Sequence, residues 1–200
     1  MNKFLLSLGT AAIIGTATLV APVMTAPAAA AVNNQDPAAF ITSLSDEALG
    51  ILRSSDKVAA KAKFRSILTQ HFAIDAIGDR LIRRWAAQIT PAQNAQYKAA
   101  IPNFIVGTYA DNLWDYSHAT VKVIRTTPAG SGVNVTTQVQ KPGAQPITAV
   151  WSVAKIGDGF KVTNLTVANI NLAVTQGQDF DAIIQRKGFD GLLAMMKSRG

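Results

Sequence analysis

Near His118 the spacing of apolar residues changes from about 3.6 to about 2, and this switch limits the fold more than any other feature of the chain. Upstream of it the sequence reads as helices. Asp36-Pro37 fits an N-cap followed by Pro at the first helical position, and Phe40, Ile41, Leu44, Leu49, Ile51 and Leu52 keep a helical spacing behind it. Ser54-Ser55-Asp56 breaks the pattern and caps a second helix, whose apolar stripe holds Val58, Ala62, Phe64, Ile67, Leu68 and Phe72. A third helix is expected from Ile74 to Gln88, with Ile77, Leu81, Ile82 and Trp85 on one face. Thr90-Pro91-Ala92-Gln93 is a capping box with Pro at the first position, and it starts a fourth helix. That helix continues through Tyr97, Ile101, Phe104, Ile105, Tyr109, Leu113 and Tyr116, and Pro102 is expected to kink or split it.

Downstream, Val121 and Val123 alternate with polar residues, as do Val133, Val135 and Val139 beyond the turn at Thr127-Pro128-Ala129-Gly130-Ser131-Gly132. Lys141-Pro142-Gly143 marks the next turn, before Ile147, Ala149, Trp151 and Val153. Gly157-Asp158-Gly159 then closes a hairpin into Phe160, Val162 and onward to Leu172. Four strands in meander order bury one face and wet the other. Two short helical patterns, Phe180–Ile184 and Leu192–Met196, end the chain. The fold class is therefore α+β: a helical layer packed on a strongly curved four-stranded antiparallel sheet, which encloses a cone with an apolar cavity.

The N-terminus bears on the compartment. Asn2 and Lys3 precede an uncharged apolar stretch from Phe4 to Val23, and Ala26-Pro27-Ala28-Ala29-Ala30-Ala31 supplies small residues suited to a cleavage site. This is the pattern of a secretory signal peptide, expected over residues 1–31, with residues 32–200 left as one domain. Gly15, Thr16, Thr18 and Pro22 dilute the stretch, and no basic stop-transfer cluster follows, which argues against a membrane anchor. With no cysteine, acylation, disulfides and thiolate chemistry are excluded. The net charge of +7 would suit nucleic acid or an anionic surface, and export makes nucleic acid an unsuitable partner.

Catalytic residue types are scarce. His71 and His118 are the only histidines and Glu47 is the only glutamate, too few to suggest a metal centre, and no cofactor motif is present. Asp111 and Asp115, four apart and flanked by Tyr109 and Tyr116, are the acid–base candidates, and Asp75 and Asp79 repeat the spacing. Exposed helix carboxylates are the plainer reading of both pairs, so no catalytic residue is assigned. Lys57, Lys61 and Arg65 form a basic ridge suited to a solvated face, an acidic partner or an anionic headgroup.

The order of several short motifs carries a resemblance. They are Asp36-Pro37, Leu44-Ser45-Asp46-Glu47-Ala48-Leu49, Phe64-Arg65-Ser66-Ile67-Leu68 and His71-Phe72, followed by the Trp85 segment and Thr90-Pro91-Ala92-Gln93. Thr108-Tyr109-Ala110-Asp111-Asn112-Leu113, Gly159-Phe160-Lys161-Val162 and Gly188-Phe189-Asp190-Gly191-Leu192 complete the series. From about Asp36 to Lys197 the chain resembles the MlaC/toluene-tolerance family of periplasmic phospholipid-binding proteins, auxiliary to ABC transporters, with hopanoid-associated relatives. The resemblance implies a fold similar to nuclear transport factor 2. It also implies a monomer in the periplasm that carries phospholipid between an outer-membrane lipoprotein complex and an inner-membrane ABC transporter complex, with no cofactor. The lining expected for acyl chains, chosen by apolar periodicity and nearness to the matched motifs, is Phe72, Ile82, Trp85, Phe104, Tyr109, Val121, Val135, Trp151, Val153, Leu165 and Ile170.

Two positions depart from the family pattern. Asn169-Ile170-Asn171 stands where a Gly-Ile-Ser turn is usual, and Thr175-Gln176-Gly177-Gln178-Asp179 replaces a Tyr-Arg pair before Phe180. The lost cation leaves room for another apolar ligand, such as a hopanoid. An isomerase- or dehydratase-type enzyme using Asp111, Asp115 and Tyr109, or an adaptor with a filled core and a basic face, are the competing readings.

Overall fold

The structure, a computed structural model, describes residues 32–200, so the expected leader over 1–31 lies outside the described residues. Helix α1 spans Pro37–Leu52, and the Asp36 carboxylate accepts the Ala38 and Ala39 amides at 2.8 Å each. Asp56 caps α2 (Lys57–His71) in the same way, through Val58 and Ala59. Such caps satisfy amides that have no partner within the helix. Helix α3 runs only from Ile74 to Leu81, shorter than the span to Gln88 that periodicity suggests. Beyond Ile82 the Trp85 and Gln88 amides bond back to Ile82 and Trp85, three residues earlier, so the chain continues in tight turns. These turns bring the Trp85 indole N–H to Asp181, 2.6 Å away.

Helix α4 covers Pro91–Leu113, with both halves of the Thr90/Gln93 capping box formed. Pro102 sits inside it without splitting it. A 3₁₀ turn at Trp114–Tyr116 follows, and there the chain leaves helix for sheet.

The sheet comprises β1 (Thr120–Ala129), β2 (Gly132–Gln140), β3 (Ile147–Ile156), β4 (Gly159–Val167) and β5 (Ile170–Asn171), in that order and antiparallel throughout. Two of the expected features are corrected. The strands number five, because the tight turn at Ala168 and Asn169, with φ of 49° and 65°, folds Ile170 and Asn171 back onto β4. The sheet is also neither closed nor strongly curled into a cone. Curvature on that scale needs repeated bulges, and the register shifts only at Val123/Arg125 and Ser152/Val153.

Helix α5 (Leu172–Arg199) joins the two closing helical patterns, with a break at Gly188, whose φ of 68° suits a residue without Cβ. No helix among the described residues is long and apolar enough to cross a membrane.

Burial divides into two clusters. One lies between α3, α4 and α5 and is built on Tyr97, Ile101, Phe104, Phe180, Ile184, Phe189, Leu192 and Met196. The other lies between α1, α2, the far face of α4 and the sheet, and includes Phe40, Ile41, Leu44, Phe64, Val135, Val153 and Val162.

Candidate functional site

Helix α4 faces both clusters. At about 100° per residue, Phe104 and Tyr109 lie roughly 140° apart around the helix. Tyr97, Ile101 and Phe104 therefore face α3 and α5, while Ile105, Tyr109 and Leu113 form a second ridge on the other side. That second ridge walls a cavity of about 370 Å³ that opens to solvent. Leu49 and Leu52 of α1, Phe64 and Leu68 of α2, and Ile74 and Ile77 of α3 contribute further wall. The sheet adds Val121, Val139, Ile147, Ala149, Trp151, Leu165 and Val167, and the start of α5 adds Leu172, Ala173 and Gln176.

Polar groups on this wall are few. The Tyr109 hydroxyl donates to Gln176 Oε1 at 3.0 Å, which ties α4 to α5. The Trp151 indole N–H donates to Thr137 Oγ1 at 3.0 Å and leaves its ring on the cavity side. Ser45 Oγ and Asn164 Oδ1 are buried without a partner among the described residues, and both residues line the cavity. Among the described residues no Asp, Glu, His, Lys or Arg lines it. Burial, and secondarily the charge of Asp179, raises the Tyr109 pKa, so the phenol stays neutral at physiological pH.

The residues expected to line a cavity separate into two groups. Phe72, Tyr109, Val121, Trp151 and Leu165 are on its wall. Ile82, Trp85, Phe104, Val135, Val153 and Ile170 are not. Phe104 is fully buried against the Phe180 ring at 5.3 Å, and Ile82 packs in the same cluster. Trp85 follows the end of α3 and bridges to Asp181, with the Arg84 guanidinium 5.7 Å over its ring. Val135 is the cross-strand partner of Trp151 and shares its face, yet like Val153 it is buried in the cluster that Phe40 and Ile41 of α1 help to fill. Ile170, on the short β5, is 56% exposed.

The wall also includes residues that stand in the apolar patterns of the sequence but not in the expected lining, among them Leu52, Ile105, Leu113, Val139, Ile147 and Leu172. The signal available for Ile105 and Leu113 was their spacing of four residues on either side of Tyr109.

Comparison with known proteins follows from this geometry. The family model described as MlaC protein matches residues 42–198. The chain belongs to the MlaC family. Curated proteins yield no match to it. Among solved structures it is similar to a phospholipid-binding protein from Ralstonia solanacearum in complex with a phospholipid. The two chains are 22% identical, with a TM-score of 0.69 over 82% of this chain and 96% of that one, a likeness of fold.

The charged candidates of this MlaC-family chain stand outside the cavity. Asp111 and Asp115 are exposed, and Asp111 pairs with Lys61 at 3.2 Å. Asp79 pairs with Lys98 at 3.3 Å. The expected basic ridge faces α4 and the 3₁₀ turn and is not free. Besides the Lys61 pair, the Lys57 ammonium lies 5.5 Å over the Trp114 ring, and Arg65 Nε is buried without a partner among the described residues. His71 packs on Phe40 with ring centroids 6.0 Å apart, and burial lowers its pKa. Among the described residues no three His, Cys, Asp or Glu side chains are grouped to hold a metal.

The energetics of an MlaC-family cavity of this kind are unusual for a core. Side chains that stop short of one another across about 370 Å³ forgo contacts that a filled core makes.

Proposed function

We propose that this protein is a periplasmic lipid carrier that takes phospholipid acyl chains into its cavity and shuttles lipid between outer- and inner-membrane complexes of an ABC transport system. The observation that carries the reading is the cavity wall, which is apolar, open to solvent and, among the described residues, free of charged side chains. Each CH₂ left in water costs about 0.8 kcal/mol, so an acyl chain gains from this wall what it cannot find in an aqueous compartment. Occupation by such a chain also restores the packing that the hollow forgoes. Membership of the MlaC family and a fold shared with a protein in complex with a phospholipid support the same reading.

In this account the leader over 1–31 directs export, and residues 32–200 form one lipid-binding domain that acts as a monomer. Phe72, Tyr109, Val121, Trp151 and Leu165 contact the acyl chains. The partners are the membrane complexes at either end, and nucleic acid is not among them. A hopanoid would use the same wall. An acid–base enzyme would need a carboxylate in the pocket, and Asp111 and Asp115 lie outside it.

Transfer of a fluorescent phospholipid between two vesicle populations tests the proposal. Catalytic amounts of protein are expected to speed transfer well above the spontaneous rate. Transfer no faster than the protein-free control, by protein shown to be folded, would reject the shuttle.

A further inference from the structure

Two polar groups on the apolar wall, Ser45 Oγ and Asn164 Oδ1, are buried without a partner among the described residues, and Ser45 as a whole is only 5% exposed. Their neighbours are all served. On α1, the Thr42 and Ser43 hydroxyls donate to the Ala38 and Ala39 carbonyls, each at 2.9 Å, the bond back along the helix that any helical serine can make. Beside Asn164, the Thr163 hydroxyl donates to the Ser152 carbonyl at 3.2 Å, and the Ser152 hydroxyl donates to Asn134 Oδ1 at 2.9 Å. Elsewhere on the wall, Tyr109 and Trp151 donate to Gln176 and Thr137. A buried polar group without a partner is destabilising, so two on one cavity point to a ligand that supplies the missing bonds.

Both groups stand toward the same, filled end of the hollow. There Phe40 packs on His71 and on Phe160, each with ring centroids 6.0 Å apart, and Phe72 bridges to Val162. The start of α1, the end of α2 and the start of β4 thus close this end. Ser45 follows Leu44, which is 2% exposed, and Asn164 comes two residues after the fully buried Val162. The register of β4 shifts at the same place: Val153 pairs with Val162 and Ser152 with Asn164, which leaves Thr163 as an extra residue. Consecutive residues of a regular strand face opposite sides, yet Asn164 and Leu165 both line the cavity. A bulge re-aims side chains in this way, and here it turns an amide toward an otherwise apolar wall.

We propose that Ser45 and Asn164 form a subsite at the closed end of the cavity for a neutral hydroxyl group on the inner end of a lipid chain. The chemistry matches. A carbonyl oxygen such as Asn164 Oδ1 can only accept, and a ligand hydroxyl donates to it; the Ser45 hydroxyl then donates to the ligand oxygen in return. A carboxylate would set further acceptors against Oδ1, and a methyl end would leave both groups unpaired. This subsite rests on the carrier reading, in which the headgroup stays at the opening, and adds to it a preference among chains. One that ends in a hydroxyl is held better than one that ends in a methyl group.

The test is displacement of a fluorescent fatty acid from the delipidated protein by ω-hydroxy fatty acids, from dodecanoic to hexadecanoic, each against its unsubstituted parent. At the length that reaches the closed end, the hydroxylated acid is expected to bind about tenfold more tightly, the scale of two neutral hydrogen bonds. Ser45→Ala with Asn164→Leu should reverse that order, because the hydroxyl then enters an apolar end unpaired. The same variant should keep or raise the unfolding midpoint, because the groups it removes had no partner. Ser45→Ala alone deletes one oxygen and should lose part of the preference, which gives a result even if the double variant does not fold. Equal binding of the two acids at every length would mean that water serves both groups, and would overturn the subsite. A preference that survives in both variants would overturn it too. Protein that takes up phospholipid from vesicles but neither acid would overturn the subsite and leave the carrier reading standing. Uptake of none of these lipids would overturn both.

Discussion

The two apolar clusters use similar residues to opposite ends. Between α3, α4 and α5, aromatic rings meet aromatic rings: Phe104 and Phe180 at 5.3 Å, Tyr97 and Phe189 at 5.8 Å, Tyr97 and Phe180 at 6.2 Å. Across α4, the rings of Phe64, Phe72, Tyr109, Tyr116 and Trp151 stand around a cavity, and none of them forms such a pair among the described residues. One cluster is a filled core that holds the helices in place. The other is a wall that those helices hold open. The difference is one of arrangement around α4 and not of composition, so a helix apolar on two faces serves as stiffener and as lining at once.

Substitutions that change volume separate the two most strongly. Phe180→Ala should cost about 3–5 kcal/mol and lower the unfolding midpoint by roughly 10 °C, because a filled cluster cannot collapse onto the deleted ring. Calorimetry reads this directly, and a loss under 1 kcal/mol would mean that this cluster is no better packed than the other. Adding volume gives the opposite sign. Ala149→Phe, which projects a ring into the hollow, is expected to keep or raise stability by up to about 1 kcal/mol while sharply reducing lipid uptake, whereas overpacking a filled core costs about 1–3 kcal/mol.

One conservative change made in both regions sharpens the contrast. The Tyr97 hydroxyl is buried and donates to the Gly78 carbonyl at 2.9 Å, so Tyr97→Phe leaves a buried acceptor unpaired and should cost about 1–3 kcal/mol. Tyr109 donates to Gln176, a side chain that can turn to solvent, and Tyr109→Phe should cost less than about 1 kcal/mol. Equal costs, measured by urea unfolding, would argue that the hollow is as tightly ordered as the filled side.

The smallest effect concerns pH. Burial against Phe40 holds the His71 pKa below its ordinary 6.5, with Glu47 opposing and Lys161 reinforcing the shift. The folded state therefore resists protonation. This contribution is fully present above 6.5 and is lost as pH falls from there toward the lower folded value. Unfolding titrations near neutral pH and near pH 5 should show a decline that is shallower in His71→Gln. An unchanged slope would remove His71 from the account.

Much of the architecture was legible because its signals are local. Asp36, Asp56 and Thr90 mark helix starts by the hydrogen bonds their side chains make, and the change of period after His118 marks the sheet. The boundary at Leu81 was hidden, since Ile82 and Trp85 continue a helical spacing while Trp85 is drawn to Asp181, far along the chain. The cavity was half legible for a related reason. Alternation identifies the inward face of a strand, and Val121, Val135, Trp151, Val153 and Leu165 all fit it. Whether α1 covers that face, as at Val135, or a hollow does, as at Trp151, depends on helices distant in sequence. Period alone likewise could not separate Phe104 from Tyr109 on a helix whose two sides are both apolar.

In the working protein the hollow is expected to hold a lipid. Native mass spectrometry of protein isolated from its native host without detergent, with lipid analysis of an extract of the same sample, reads its occupancy. A stoichiometric adduct that extracts as phospholipid is expected. A clean apo mass, with no uptake from phospholipid vesicles, would contradict it.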